Sequence, residues 1–156
     1  MERRDTPILR EILQNTLTRY LTVRPDGLVT QKGATPRPRA EVRILGCGGA
    51  RTLYRQRRPA CRSLDGVRSL TDSNRTCSAC PDRSKCTPQV RLDLFLDGMP
   101  YRLLLAYTSA RNFLQYAARL PARGLTLDST LHRIDVIHRG RWGELRFTPC
   151  RQPKTP

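Results

Sequence analysis

Four of the six cysteines lie in one stretch of the chain, at spacings that suit the binding of a metal ion. Cys77 and Cys80 form a C-x2-C pair, with Cys61 before it and Cys86 after it. Two thiolates from a tight turn and two from the flanking chain can complete a tetrahedron with metal–sulfur distances of about 2.3 Å. The spacing therefore predicts a structural metal site with Zn2+ as the expected ion. A four-iron cluster uses the same four thiolates and stays open as the alternative.

The residues around these cysteines have almost no hydrophobic periodicity. Residues 61–86, the cysteine-rich segment, contain turn formers such as Asp65-Gly66 and Pro81-Asp82 instead of an apolar stripe. Because such a stretch cannot fold by burial alone, we expect a metal-binding insertion of the zinc-ribbon or zinc-knuckle type. Cys47 and Cys150 have no partner at ligand spacing and are predicted to be packing residues.

The charge of the chain indicates a polyanionic partner. There are 29 lysines and arginines against 13 aspartates and glutamates, a formal net charge of +16. Self-repulsion on this scale favours nucleic acid as the partner, with docking on an acidic protein or a membrane face as the alternative. A membrane is the weakest option, because no segment is both strongly basic and amphipathic with aromatic anchors.

The motifs of common catalytic sites are missing from the sequence. Neither His132 nor His138 has a glutamate two residues on, as a zinc deaminase requires, and both are expected at surface or groove positions. Asp93 and Asp97 share a strand face without a further carboxylate cluster that could hold two metals. With no glycine-rich phosphate loop either, the chain is predicted not to be an enzyme.

The elements that must position these residues can be outlined from periodicity. Residues 1–23 are predicted to form an N-terminal amphipathic helix, 24–40 a linker, 41–150 one domain and 151–156 a tail. Leu92, Leu94 and Leu96 alternate with charged residues and predict a strand with one buried face. A hairpin leads into a second strand, then into a helix capped by Thr108 or Ser109, and a final hairpin covers 132–147.

This order of elements defines the expected fold. Five strands with a helix between the third and fourth are typical of the OB-fold, a small Greek-key barrel. We therefore predict a mainly β (α+β) protein: an OB-like five-stranded barrel with the metal-binding insertion at 61–86.

The cysteine pattern also carries a resemblance to known proteins. It covers roughly residues 41–148 and is carried by Cys61-Arg62-Ser63-Leu64-Asp65-Gly66, Cys77-Ser78-Ala79-Cys80-Pro81 and Cys86. In these the chain resembles phage and mobile-element proteins that look like single-stranded-DNA-binding proteins, with a four-cysteine metal element beside OB-like strands. Its architecture is also similar to the zinc-bearing OB domains of replication protein A's large subunit. The resemblance implies binding of single-stranded DNA.

Two function classes are carried forward. The first is a non-catalytic protein that binds single-stranded nucleic acid through arginines and stacking aromatics. The second is a basic, zinc-containing assembly subunit of a phage, plasmid or CRISPR-like complex, docking on a protein partner through its N-terminal helix. The residues predicted to contact nucleic acid are Tyr54, Arg55, Arg57, Arg58, Arg62, Arg91, Phe95, Arg139, Arg141 and Trp142.

Phe95 and the cellular location complete these expectations. Period-two geometry places Phe95 opposite the leucine face of its strand, where a base could stack on it. No apolar run approaches the roughly 18 residues that span a bilayer, and Met1–Asp5 leads into no signal-peptide core. The expected location is the cytoplasm of a bacterial or phage-infected cell.

Overall fold

The computed structural model describes residues 19–71 and 75–150. Most of the predicted N-terminal helix and the whole predicted tail at 151–156 lie outside the described residues. Where the helix prediction can be compared, the structure differs from it. Tyr20 forms a parallel β-bridge with Arg102, and a strand begins at Thr22.

The described residues are mainly β, as predicted. They contain eight strands and one α-helix, α1 (Tyr107–Arg119), with short 3-10 helices at Cys77–Ala79, Arg83–Lys85 and Pro121–Arg123. The strands are β1 (Thr22–Arg24), β2 (Gly27–Val29), β3 (Arg39–Arg55), β4 (Arg58–Ser63), β5 (Thr87–Leu96), β6 (Met99–Ala106), β7 (Leu131–Arg139) and β8 (Trp142–Pro149). Among the residues that the structure describes, no helix has both the length and the apolar character needed to cross a membrane.

The main sheet has six antiparallel strands built around β3. Its order is β6-β5-β3-β7-β8, and β4 pairs with the C-terminal part of β3. β3 is long enough, at 17 residues, to pair with β7 near its start, β4 near its end and β5 in between. This strand therefore holds together the two hairpins that the sequence predicts.

The sheet is not closed into a barrel, which corrects the predicted five-stranded barrel. Within the described residues the two outer strands, β6 and β8, do not pair with each other. The segment before β1 lies along β6 instead, where the Leu21 amide donates to the Arg102 carbonyl at 2.8 Å. At β8, a Cβ on Gly143 would lie only 2.5 Å from the Arg24 carbonyl oxygen. The chain at 19–24 thus contacts both outer strands. The pattern of residues within this short segment does not predict these contacts.

The core lies between the main sheet and α1. Phe113 of α1 meets Phe147 of β8 with ring centroids 5.3 Å apart, and Leu120 is fully buried. The predicted inward face of β5 is confirmed, because Leu92, Leu94 and Leu96 are buried. The predicted helix cap by Thr108 or Ser109 is wrong, because α1 starts after Ala106 without a side-chain cap. Ser109 Oγ instead accepts a hydrogen bond from the Leu145 amide of β8.

The segment expected to be a linker contains ordered, buried strand. Leu28 is fully buried in β2, and its backbone exchanges two hydrogen bonds with Arg37, at 2.8 and 2.9 Å. At Gly27 a side chain could not fit, because a Cβ would lie 2.5–2.6 Å from the backbone of Arg37. A three-residue strand is too short to produce a detectable apolar period, so only long-range contacts reveal it.

Candidate functional site

A groove of about 860 Å3 opens between the N-terminal chain and one end of the main sheet. Its walls come from the chain at 20–23, the end of β3, the end of β6, the start of α1 and the start of β8. We call it the aromatic groove. Its lining residues are Tyr20, Leu21, Thr22, Val23, Tyr54, Arg62, Gln89, Leu104, Leu105, Ala106, Tyr107, Thr108, Ser109, Arg141, Trp142, Gly143 and Leu145.

The exposed aromatic side chains of the described residues all line this groove. They are Tyr54, Tyr107 and Trp142, with exposed fractions of 44%, 75% and 47%. Local geometry turns two of them outward. The register of β3 against β4 shifts between Leu53, which is buried, and Tyr54, while Tyr107 takes a positive φ of 48° where β6 passes into α1. Large aromatic surfaces left in water at one place indicate a binding surface.

Two arginines supply positive charge to the same groove. The Arg62 guanidinium lies 5.1 Å from the ring centroid of Tyr20, a cation–π contact. Its Nε is buried and has no hydrogen-bond partner. Arg141 is exposed in the turn between β7 and β8, next to Trp142. Four of the residues predicted from sequence, Tyr54, Arg62, Arg141 and Trp142, are thus brought together by the fold.

Three further predicted arginines lie at the hairpin of β3 and β4. Arg55, Arg57 and Arg58 are exposed there, on the same hairpin as Tyr54 and Arg62. Arg57 occupies the turn with a φ of 64°. Arg55 is close to a carboxylate, with its Nη2 3.3 Å from Asp82 Oδ2. The hairpin extends the positive surface beyond the groove itself.

The structure places Arg91, Phe95 and Arg139 outside the groove lining. Arg91 is enclosed: its Nε lies 3.2 Å from Asp93 Oδ2, and its Nη1 donates to the Leu64 carbonyl. Arg139 donates to Glu144 Oε2 at 2.8 Å, which helps to hold the pKa of that carboxyl below its usual value. Phe95 is half-buried in β5, opposite Arg43 and Pro100. The sequence pattern shows which face of a strand a residue lies on, but it does not show which neighbouring groups cover that face.

Sequence reasoning missed two groove residues, Tyr20 and Tyr107. Tyr20 lies in the segment 1–23 that was predicted to be a helix, and Tyr107 was not among the residues predicted to contact nucleic acid. The signal that could have found Tyr107 is its place directly before the polar pair Thr108-Ser109, where a strand gives way to a helix. A residue at such a junction need not follow the alternation of the strand before it.

The four predicted metal ligands line one small cavity of about 20 Å3, here called the cysteine cavity. Cys61 comes from β4, Cys77 begins the first 3-10 turn and Cys80 follows it, and Cys86 follows the second. The other lining residues are Arg51, Ser63, Ser69, Arg75 and Arg83. Cys47, which was predicted to be a packing residue, is instead exposed in β3. Cys150 follows β8, and neither of these two cysteines lines the cavity.

The thiols make local contacts with polar groups. Cys61 Sγ lies 3.2 Å from Ser69 Oγ, and Cys86 Sγ donates to the Asp82 carbonyl at 3.5 Å. Burial raises the pKa of the Cys86 thiol, and the nearby Cys61 and Cys80 thiols raise it further. Within 19–71 and 75–150, no three histidine, cysteine or acidic side chains are arranged closely enough to hold an ion as they stand.

His132 occupies a different position from the predicted one. It is fully buried, with Nδ1 2.5 Å from the Tyr116 hydroxyl and Nε2 2.7 Å from the Leu127 carbonyl oxygen. Burial lowers the pKa of His132 and raises the pKa of Tyr116 to about 12. The pair is a satisfied polar contact within the core.

Comparisons of this chain with protein-family models, with curated proteins and with solved structures find no match. The resemblance to single-stranded-DNA-binding proteins of phages and mobile elements therefore stays a prediction from the cysteine pattern.

Proposed function

We propose that this protein binds single-stranded nucleic acid, with single-stranded DNA as the first candidate, and catalyses no reaction. One observation carries the proposal: the exposed aromatic side chains of the described residues converge on one groove that also contains Arg62 and Arg141. We expect the protein to act in the cytoplasm, because cysteines stay reduced there.

The chemistry of the aromatic groove suits unpaired bases. Any base can stack on a tyrosine or tryptophan ring, and each stacked base contributes about 1–3 kcal/mol to binding. Bases in a duplex are already stacked on one another and do not offer their faces to a protein side chain. Tyr54, Tyr107 and Trp142 come from three different elements and line the same groove, where each ring offers a face on which a base can stack.

The surrounding charge suits the phosphate backbone. Arg141 lies at the rim, and Arg55, Arg57 and Arg58 extend the positive surface along the β3–β4 hairpin. The net charge of +16 adds a long-range attraction for any polyanion. Stacking and charge together favour a strand whose bases and phosphates are both accessible.

The fold is compatible with this function. We interpret the six-stranded sheet as an open relative of the OB barrel, because β3, β5, β6, α1, β7 and β8 follow one another in the predicted order. OB-type proteins bind single strands on the face and loops of such a sheet. The hairpins β3–β4 and β7–β8, which supply Tyr54 and Trp142, would then form the two sides of the binding path.

Fluorescence anisotropy with labelled oligo(dT), oligo(U) and duplex DNA tests the proposal. Trp142→Ala should weaken oligo(dT) binding about tenfold or more, the lower end of the stacking energy. Leu114→Ala is the matched control, because Leu114 is 56% exposed on α1 and does not line the groove. Phe95→Ala should leave the affinity for oligo(dT) unchanged. A weaker affinity in this variant would show that the binding face lies on the other side of β5.

The salt dependence of binding tests the arginines separately. Each phosphate contact on a single strand contributes about 0.7 to the slope of log K against log salt. Arg141→Ala should flatten this slope, while Arg119→Ala, at the opposite end of α1 from Tyr107, should not. Tighter binding to duplex than to oligo(dT), or equal affinities for Trp142→Ala and the unchanged protein, would contradict the proposal.

A further inference from the structure

We infer that the cysteine cavity binds a single Zn2+ ion, and not a four-iron cluster. The sequence leaves the two alternatives open, since both use four thiolates. The fold brings the four cysteines to one cavity from three separate pieces of chain, β4 and two short 3-10 turns. Cys47 and Cys150, which lack ligand spacing, are placed elsewhere.

The size of the cavity distinguishes the two ligands. Its volume is about 20 Å3, and a cavity that holds one water molecule needs roughly 10–15 Å3 by the same kind of measure. There is room for one atom-sized ligand among the thiols. A cluster of four irons and four sulfides does not fit without opening the segment around it.

The residues around the cavity are compatible with a bound metal–thiolate group. One Zn2+ with four thiolates has two net negative charges, which are costly to enclose without positive neighbours. Three arginines, Arg51, Arg75 and Arg83, are among the residues that line the cavity. Ser69, whose Oγ is 3.2 Å from Cys61 Sγ, can donate a hydrogen bond to a thiolate.

The backbone presents the cysteines from two similar turns. The Cys80 amide donates to the Cys77 carbonyl at 3.3 Å, and the Cys86 amide donates to the Arg83 carbonyl at 3.2 Å. Each turn ends on a cysteine that lines the cavity. Since the four thiols do not surround an ion as they stand in the described residues, binding requires a rearrangement of their side chains within the cavity.

The ion also has a role in the proposed binding site, and this step alone rests on the proposed function. Cys61 and Arg62 are neighbours in β4, and successive strand residues point to opposite faces. Cys61 lines the cysteine cavity while Arg62 lines the aromatic groove. Fixing Cys61 on an ion thus fixes the strand that presents Arg62.

Elemental analysis of the purified full chain tests the metal without any nucleic acid. We expect one zinc per chain and no iron, with zinc lost in Cys77→Ser and retained in Cys47→Ser and Cys150→Ser. Stoichiometric iron with the visible absorption of a cluster would overturn the inference. Zinc retained in Cys77→Ser, or neither metal in the native protein, would overturn it equally.

A measurement on the unmutated chain covers the case in which Cys77→Ser does not fold. After removal of zinc by a chelator, Co2+ should bind one to one and produce the intense visible bands of tetrahedral thiolate ligation. The absence of these bands would contradict the zinc site whatever happens to nucleic-acid binding. If instead cobalt binds and oligo(dT) does not, the metal inference stands and the proposed function fails.

Discussion

The sheet–helix core and the cysteine-rich segment are stabilised in opposite ways. In the core, large apolar side chains such as Phe113, Leu120 and Leu145 are almost completely removed from water. In residues 61–71 and 75–86, by contrast, the buried residues are two serines, Ser63 and Ser69. Even the larger apolar side chains there stay outside, with Val67 56% and Leu70 60% exposed.

The contrast shows which forces hold each region. Burial of apolar surface supplies the core with roughly 25 cal/mol per Å2. The cysteine-rich segment has little such surface, and polar contacts shape it instead. The Asp65 carboxylate accepts hydrogen bonds from Ser63 Oγ at 3.0 Å and from the Val67 and Arg68 amides at 2.7 and 2.9 Å. One chain therefore combines a burial-driven domain with a segment that needs polar contacts and, by our inference, an ion.

The largest expected effect comes from weakening the core alone. Phe113 is 1% exposed and packs edge-on against Phe147. Phe113→Ala should lower the free energy of unfolding by about 3–5 kcal/mol, because it removes buried apolar atoms and leaves a cavity. Denaturant titration measures the loss. The zinc content should stay unchanged as long as the variant is folded; a loss below about 1 kcal/mol would show that the core does not depend on this contact.

A smaller effect is expected from the Asp65 turn. Asp65→Ala removes the acceptor of three hydrogen bonds and should cost about 1 kcal/mol, as for a lost helix cap. Because these hydrogen bonds lie within one turn, the loss should be local. Hydrogen exchange should speed up at the Val67 and Arg68 amides and stay unchanged in α1.

Asp65→Asn is the matched control, because it keeps one acceptor oxygen. Its free energy of unfolding should lie between those of Asp65→Ala and the unmutated protein.

The backbone hydrogen bond from Arg68 lowers the pKa of Asp65 below its usual value. The stability it contributes is therefore present above the ordinary pKa of an aspartate and is lost as the pH falls through the lowered one. If Asp65→Ala left exchange at Val67 and Arg68 unchanged, the turn would be held by something else.

The smallest effect is a pH dependence of the core. Burial lowers the pKa of His132, so the unfolded chain takes up a proton more readily than the folded one. The neutral histidine contributes stability above the ordinary histidine pKa of about 6.5, and that stability is lost as the pH falls below it. The thermal midpoint should decrease as the pH falls through this ordinary value, and less so in His132→Gln. Identical slopes for both proteins would exclude His132 as the source.

Local patterns predicted much of this molecule. The alternation of Leu92, Leu94 and Leu96 with polar residues predicted both the strand and its buried face, because neighbours in a strand point to opposite sides. The spacing of Cys61, Cys77, Cys80 and Cys86 indicated one shared site, and the structure brings all four to one cavity. In each case the prediction depends on residue types and spacings within one short stretch of the chain.

The aromatic groove needed the tertiary structure. Tyr54, Tyr107 and Trp142 are far apart in the sequence and meet only because β3 is part of the same sheet as both hairpins. Arg91 shows the reverse: its charge suggested a phosphate contact, but Asp93 pairs with it and the fold encloses both.

The sequence by itself determined the mainly β character, the inward face of β5 and the grouping of four cysteines, because these depend on residue type and on spacings within short stretches of chain. The tertiary structure decided that the sheet stays open, that the chain at 19–24 contacts both outer strands, and which aromatics share a groove. These depend on pairings between distant segments. Their free energy comes from contacts that exist only once the strands are in register, and the local periods of a strand or a helix contain no information about them.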